Sequence, residues 1–335
     1  MIFLKRNDIK EVARIAGVSP STVSRTINHP EMVNENTRQK ILEIVDKLNY
    51  QASSSARGLK GFGTSLILAS FGDKYPLISS SSYYQALIPK LVEKFEKKNY
   101  HLIMSMHMHD TDLSSIIALS RKNIFDLTIL MAPQENDERM IQLNKMREKF
   151  LVLGNPEMNF EYNWVETDSY TGARMATESL MEKGYENLFF IGMEEEYHVS
   201  RIRHRGFLDM VAENNCKSFS YKNCQPIEKC GYKIGQELKV DSKTGIFCAA
   251  DILAVGFIKA QFEKGLIPGK DYGIIGYDAL IENVKLGKTF YNLSSVKQDI
   301  ELISETIVNQ CFKIIEEGKT ENIMLPVFLK NGDTL

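Results

Sequence analysis

The chain has five cysteines, an odd number, and no two of them form a CxxC pair. Count and spacing therefore argue against both a disulfide framework and a zinc finger, and Cys216, Cys224, Cys230, Cys248 and Cys311 read as reduced, mostly buried thiols. No run of eighteen apolar residues occurs, so the sequence predicts no membrane span and no membrane partner. The start MIFLKRND turns to charge too early for the apolar core of a signal peptide, which places the expected site of action in the cytoplasm. No GxGxxG opens a helical pattern and no GxSxG elbow exists. LGKT at 286–289 would be a phosphate loop only with glycine at 282, where Glu282 stands. With no catalytic constellation in view, the sequence predicts no cofactor and no enzyme.

What is present is an ordinary globular balance: 335 residues, 43% hydrophobic and 25% charged. That length has room for two or three domains. The net charge of −2 conceals an asymmetry, because residues 1–60 carry +4 and the remainder −6. A basic head on an acidic body suggests that the head alone meets a polyanion.

Within the head, VARIAGVSPSTVSRTIN interrupts a helical pattern with Gly, Ser and Pro. One helix would not tolerate this, since interior glycine costs about 1 kcal/mol and interior proline about 3. Two helices and a turn would. Asp8 can cap the first with Glu11 completing a capping box, and Gly17 suits the left-handed residue that ends it. Ser19 suits the next cap and Pro20 the first helical position. Val12, Ala13, Ile15, Val18, Val23 and Ile27 can share a small core. Pro20, Ser21, Thr22, Ser24, Arg25 and Asn28 are then left for a partner. Short hydroxyls at a helix start suit phosphate oxygens, and Arg25 can reach a guanine edge, which is helix-turn-helix geometry for double-stranded DNA. A plain helical hairpin with a solvated face is the alternative. A third helix starts at Asn34 with the stripe Thr37, Ile41, Ile44, Val45 and Leu48. The Ser- and Gly-rich YQASSSARGLKGFGTS that follows reads as a linker.

The run from DIKEVARIAG to DKLNY closely resembles the DNA-binding head of LacI/GalR-type bacterial regulators, and GVSPSTVSRTIN is its most specific part. The resemblance implies a three-helix head (residues 1–50), a hinge (51–63) that becomes helical on DNA, and a body (64–335). It adds Tyr50 and Leu59 to the DNA-facing set, with Leu59 as a wedge between bases in the minor groove. Ala52-Ser53 depart from the usual Pro-Asn, and Ser53 to Ser55 with Gly58 make a poor hinge helix.

Beyond residue 64, apolar runs (SLILASF, HLIMSM, FDLTILMA, FLVLGN, NLFFIG, GIFCAAD, YGIIGYD, SSVKQ) alternate with helical patterns. YGIIGYD is followed by a segment read as a loop. Repeated βα units predict an α/β body with parallel sheets in two subdomains and a ligand between them, at the carboxyl ends of strands. The resemblance extends here more loosely and implies a two-lobed, periplasmic-binding-protein-like effector domain with three crossing strands. VETDSYTGARMATESLMEKG matches the first crossing and brings in Asp168, while Ser169 departs from the usual Asn. RHRGF, CAADILAVG and IIGYDAL place Arg203, Asp251 and Asp278 in the pocket. Ala250 and Ala279 depart from a frequent Asn and Asp. Arg and Asp suit charge-assisted hydrogen bonds to sugar hydroxyls, although both aspartates could simply cap helices. Sugar faces stack on aromatic rings. Trp164, the only tryptophan, is the preferred candidate, with Tyr83, Tyr84 and Tyr277 beside it; core roles are the alternative for each. LVLGNP, Ala250-Asp251 and YYQALIP most resemble maltose-operon repressors of Gram-positive bacteria.

His107 and His109 at strand spacing with Asp110 suggest a metal only weakly, for want of a third ligand. RIRHR at 201–205 reads as solvated charge plus one pocket arginine. The resulting expectation is a homodimeric regulator on a pseudo-palindromic operator, answering to a small sugar, best matched by maltose or another α-glucoside. A non-sugar ligand or a phosphoprotein corepressor is the alternative. A sugar-modifying enzyme lacks catalytic residues, and a secreted sugar-binding protein lacks a signal peptide.

Overall fold

The computed structural model describes residues 8–28, 30–48, 63–72, 81–106, 124–216 and 218–335. The chain divides into two compact units, Met1–Thr64 and Ser65–Leu335. In the first, α1 (Ile9–Ala16) begins at Asp8, whose carboxylate accepts from the Lys10 amide, and ends at Gly17 with φ 73°. Glycine takes that left-handed conformation without steric cost. α2 (Pro20–Asn28) starts behind Ser19, whose hydroxyl accepts from the Thr22 N–H at 3.2 Å. α3 (Glu35–Lys47) starts behind Asn34, which accepts from the Asn36 N–H at 3.1 Å. Val12, Ala13, Ala16, Val23 and Ile41 are buried together, ringed by Val18, Ile27, Ile44, Val45 and Leu48. The expected core included Ile15, but that side chain is 42% exposed. It lies roughly 110° around α1 from the middle of the buried face, and Ala16 takes the core position.

The second unit contains two six-stranded sheets. The first sheet comprises β1 (Leu66–Phe71), β2 (His101–Met106), β3 (Leu127–Met131), β4 (Phe150–Leu153), β5 (Asn163–Thr167) and β13 (Ile323–Leu325), in the order β13-β5-β4-β3-β1-β2. The other comprises β6 (Asn187–Gly192), β7 (Ser218–Asn223), β8 (Thr244–Cys248), β9 (Gly273–Asp278), β12 (Ser294–Gln298) and β14 (Val327–Lys330), in the order β14-β12-β9-β8-β6-β7. Every pairing in them is parallel except that of β12 with β14. The inner strands β3, β8 and β9 are buried at every residue, as a sheet covered on both faces requires.

α4 (Ser82–Glu96), α5 (Glu138–Met146) and α10 (Ile300–Glu317) cover the first sheet; α6 (Ser169–Glu182), α7 (His198–Glu213), α8 (Glu228–Glu237) and α9 (Asp251–Glu263) cover the second. α8 and α9 approach closely because Gly231 and Gly256 face them: a Cβ at either would strike the Leu253 or Glu228 carbonyl. The chain passes between the lobes three times, from β5 into α6, from β12 into α10 and from β13 into β14. Each lobe has its own core.

The segment after YGIIGYD is a hairpin rather than the expected loop, formed by antiparallel β10 (Asn283–Leu286) and β11 (Thr289–Asn292). Val284 and Leu286 alternate inward with period two, and Gly287 at φ 60° makes the turn. LGKT is therefore the hairpin's tip. Among the described residues, no helix is long and apolar enough to cross a membrane and no cluster of three metal-ligating residues occurs. His107, His109 and Asp110 lie outside the described residues.

Candidate DNA-reading helix and effector cleft

On α2, Pro20, Ser21 and Arg25 are exposed and Thr22 and Ser24 are half-buried. Val23 and Thr26 hold the opposite face, with the Thr26 hydroxyl donating to the Thr22 carbonyl at 3.0 Å. The Ser19 hydroxyl lies 2.7 Å from that of Ser21 and 2.9 Å from that of Thr22. These contacts fix a row of hydroxyls at the helix N-terminus, where backbone N–H groups and the helix dipole favour an anion. The long Arg25 side chain stands one turn further along. The side chain of Asn28, the residues Tyr50 and Leu59, and hinge positions 51–62 lie outside the described residues.

The second unit holds a cleft at the carboxyl ends of strands from both lobes. The first lobe contributes Ser81 to Tyr84 at the start of α4, Ala132 and Pro133 after β3, and Glu166 and Thr167 at the end of β5. The second contributes Met193, Tyr197, His198, Arg203, Ala250 and Asp278; Gln298 comes from the β12 crossing. Both sheets have doubly wound strand orders, whose strand ends open into such a crevice.

Arg203 is the centre of the second-lobe wall. Its side chain is buried and lies over the Tyr277 ring at 3.5 Å. Nη1 donates to the Ala249 carbonyl at 2.6 Å, and Nη2 is 3.7 Å from Asp278 Oδ1. Nε has no hydrogen-bond partner among the described residues. Asp278 accepts from Gln298 Nε2 at 2.7 Å, and Gln298 Oε1 accepts from the Thr167 hydroxyl at 2.7 Å. Asp278 adopts φ 106° and Ala279 φ 53°. This is a costly conformation for residues with a Cβ, of the kind concentrated at ligand sites.

Asp251 explains how that turn is held. Its carboxylate accepts from the Ser295 hydroxyl at 2.6 Å and from the Leu280 and Ile281 amides at 2.9 and 3.3 Å. Burial raises the pKa of Asp251 and of Asp278, and the Asp278 charge adds to the rise at Asp251; Arg203 and Gln298 work against the rise at Asp278.

The predicted effector set therefore divides. Arg203, Asp278, Tyr83 and Tyr84 line the cleft. Asp251 does not: it is fully buried behind the wall and positions Asp278 by holding the 278–281 turn. Tyr277 is fully buried beneath Arg203. Asp168 caps α6, accepting from the Thr171 N–H at 2.9 Å. Trp164 packs on the small cluster of Leu130, Met140, Leu143, Phe150 and Val152. It lies on the same face of β5 as Glu166 but two residues, about 6.6 Å, short of the cleft. Of the RIRHR residues, Arg201 and Arg205 are exposed while Arg203 and His204 are buried.

Residue-by-residue reading missed Glu166, Thr167, His198 and Gln298. Glu166 and Thr167 end β5 immediately before the crossing, so the rule that ligands meet strand ends could have found them. His198 carried no signal: its neighbours in sequence are ordinary, and its partners are Glu135 and Glu166.

Comparison with known proteins agrees with this architecture. Residues 8–53 match the bacterial regulatory proteins of the lacI family, and residues 177–335 match a periplasmic binding protein-like domain. The transcriptional repressor PurR of Mannheimia succiniciproducens is 26% identical over 326 residues, covering 94% of each chain. PurR of Haemophilus influenzae is 28% identical over 276 residues, 81% of this chain and 80% of its own. Among solved structures, the Lac repressor dimer bound to operator and the anti-inducer ONPF has a TM-score of 0.83 at 20% identity, covering 98% of this chain and 99% of its own. A probable maltose operon transcriptional repressor from Staphylococcus aureus has a TM-score of 0.71 at 16% identity, covering 81% and 97%. The relatives that share the helix-turn-helix head and two-lobed body are transcriptional repressors rather than enzymes, and the chain is a DNA-binding transcriptional repressor of that kind. The chain belongs to the LacI family of bacterial regulatory proteins.

Proposed function

We propose that the protein represses carbohydrate-utilisation genes and changes its grip on operator DNA when a small neutral sugar, maltose or another α-glucoside first, occupies the cleft. The observation that carries this is the Arg203–Asp278–Gln298 group beside Tyr83. It offers a buried guanidinium with an unpartnered Nε, a carboxylate and an aromatic ring on one small surface. Vicinal hydroxyls satisfy a donor and an acceptor side by side, and a sugar's C–H face suits the ring. Glu166 and Asp278 in the lining favour a neutral ligand over a sugar phosphate.

In this reading Pro20, Ser21, Thr22, Ser24 and Asn28 contact the DNA backbone and base edges, Arg25 reads a base, and Tyr50 and Leu59 complete the contact. Residues 1–50 form the DNA-binding domain, 51–63 the hinge and 64–335 the effector and dimerisation domain. One head reads one half-site, so a two-fold dimer suits a pseudo-palindromic operator. Effector binding alters lobe closure, which biases how the two hinges meet. Likeness to repressors called PurR supports a second reading, in which a purine takes the sugar's place.

A thermal-shift screen of the full chain against maltose, other glucosides, galactosides, pentoses, purines and sugar phosphates decides between them. A ligand at a hundred times its Kd adds about 2.7 kcal/mol, a visible shift. A shift with an α-glucoside that also changes operator affinity supports the sugar reading. A shift confined to a purine replaces it, and no shift at all moves regulation to a protein corepressor. Deleting residues 1–60 abolishes operator binding and keeps ligand binding if the domains divide as proposed.

A further inference from the structure

One contact in the cleft belongs to neither the DNA face nor the Arg203 group. His198, the first residue of α7 in the second lobe, reaches across to two carboxylates of the first. Its Nδ1 is 3.0 Å from Glu135 Oε1 and its Nε2 is 3.1 Å from Glu166 Oε1. The backbone follows the same path. The His198 N–H donates to the Pro133 carbonyl at 3.2 Å, and Gln134 and Tyr197 form an isolated bridge. Tyr197 packs within the first lobe's core cluster. Residues 197–198 thus strap one lobe to the other at the cleft.

A neutral imidazole carries one N–H and can donate to one carboxylate only; an imidazolium donates to both. A carboxylate oxygen faces each ring nitrogen, and a carboxylate can only accept, so both hydrogen bonds form together only when His198 is charged. We infer that His198 is a proton-operated latch: as imidazolium between Glu135 and Glu166 it holds the cleft shut, and loss of its proton lets the lobes part.

The other groups facing the latch do not change its direction. Arg201 on the same helix has Nε 3.9 Å from Glu135 and is exposed. The Tyr162 hydroxyl donates its one proton to the Pro156 carbonyl and lies 3.0 Å from Asn155 Oδ1, and burial together with the two carboxylates raises its pKa, so it stays neutral across the working range. For His198, burial works to lower the pKa, and the hydrogen bonds and charges of Glu166 and Glu135 outweigh it, for a net rise above 6.5. With the lobes apart the ring is solvated and returns to its ordinary value near 6.5. The latch is therefore fully made below that value and is lost as pH rises through the higher value of the closed form. Its importance for regulation rests on the effector reading above; its existence does not.

Hydrogen exchange read by mass spectrometry on the full-length, ligand-free protein tests it. The reporter is the peptide containing the His198 amide, compared between pH 6 and pH 8.5 after correction for intrinsic exchange. Protection falls by up to about tenfold for each unit by which closure raises the pKa of His198. His198→Gln keeps a hydrogen-bonding side chain but carries no charge, and it flattens this pH dependence. Glu135→Gln, at the outer carboxylate, reduces it. Equal protection at both pH values in the wild type overturns the latch, and so does an undiminished pH step in His198→Gln. Because no ligand is present, failure of the sugar reading leaves this result untouched, and failure of the latch leaves the ligand screen untouched.

Discussion

Arg25 and Arg203 are one residue type in two opposite settings. Arg25 stands exposed on an intact helix whose buried side, with Val23 and Thr26, makes the fold without it. Arg203 is 5% exposed, bonded to the Ala249 carbonyl, stacked on Tyr277 and set against Asp278. In the proposed reading, the head's DNA contacts are thus separable from its stability. In the cleft, the residue proposed to touch ligand is also a partner of its neighbours, so its loss bears on folding as well as on binding.

Four substitutions press on that contrast. Arg203→Ala is expected to cost about 2–5 kcal/mol of effector affinity, the range for truncating one member of a buried charged hydrogen-bonding group. Calorimetry measures this, and ligand-free operator binding should stay near normal. A mutant that responds at the unchanged ligand concentration would remove Arg203 from the site. Asp251→Ala strands the Ser295 hydroxyl and two amides, for a loss of about 2–3 kcal/mol of stability. It is read as a lower urea midpoint at unchanged slope, and a midpoint like the wild type's would refute the positioning role. Arg25→Ala should weaken operator binding by about 1–3 kcal/mol and relax one base position, with folding altered by no more than about 0.5 kcal/mol. Loss of stability comparable to that of Asp251→Ala would erase the contrast. Trp164→Phe is the smallest change: under about 1.5 kcal/mol of stability and no change in effector affinity. A weakened effector would return Trp164 to the cleft.

The same contrast decided what could be read in advance. The head is local. Asp8, Gly17, Ser19, Pro20 and Asn34 each act on residues within four positions, so caps, turn and helix order were visible in the chain. Ile15 was misassigned, because on so short a helix one apolar residue beside the buried stripe looks like part of it, and Glu11, expected to complete a capping box, has its carboxylate on Arg14. The main alternation of strands and helices in the body was visible too, but β5, β13, β14 and α8 were not read from it. The cleft is not local. Asp251 and Asp278 look alike in sequence, each ending an apolar run, and only the turn at 278–281 separates the one that lines the cleft from the one behind it. Trp164 failed by two residues along a strand. β7 was missed because it is an exposed edge strand without an apolar run.

The three crossings have a consequence for synthesis. The first lobe is built from residues 65–167 together with α10 and β13, so Ile303, Ile307, Val308, Cys311 and Ile314, which complete its core, leave the ribosome long after the rest of it. The second lobe begins later but lacks only the edge strand β14 and the C-terminal segment once β12 is made. At elongation rates of about 5–20 residues per second the wait for α10 is on the order of 10–30 s, during which the first lobe's core has α4 but lacks the α10 side chains. Translation order therefore leaves both lobes unfinished until late: the first waits for α10 and β13, the second for β14. The lobe that comes first in the sequence waits the longer for its missing part, because most of the second lobe is made in between.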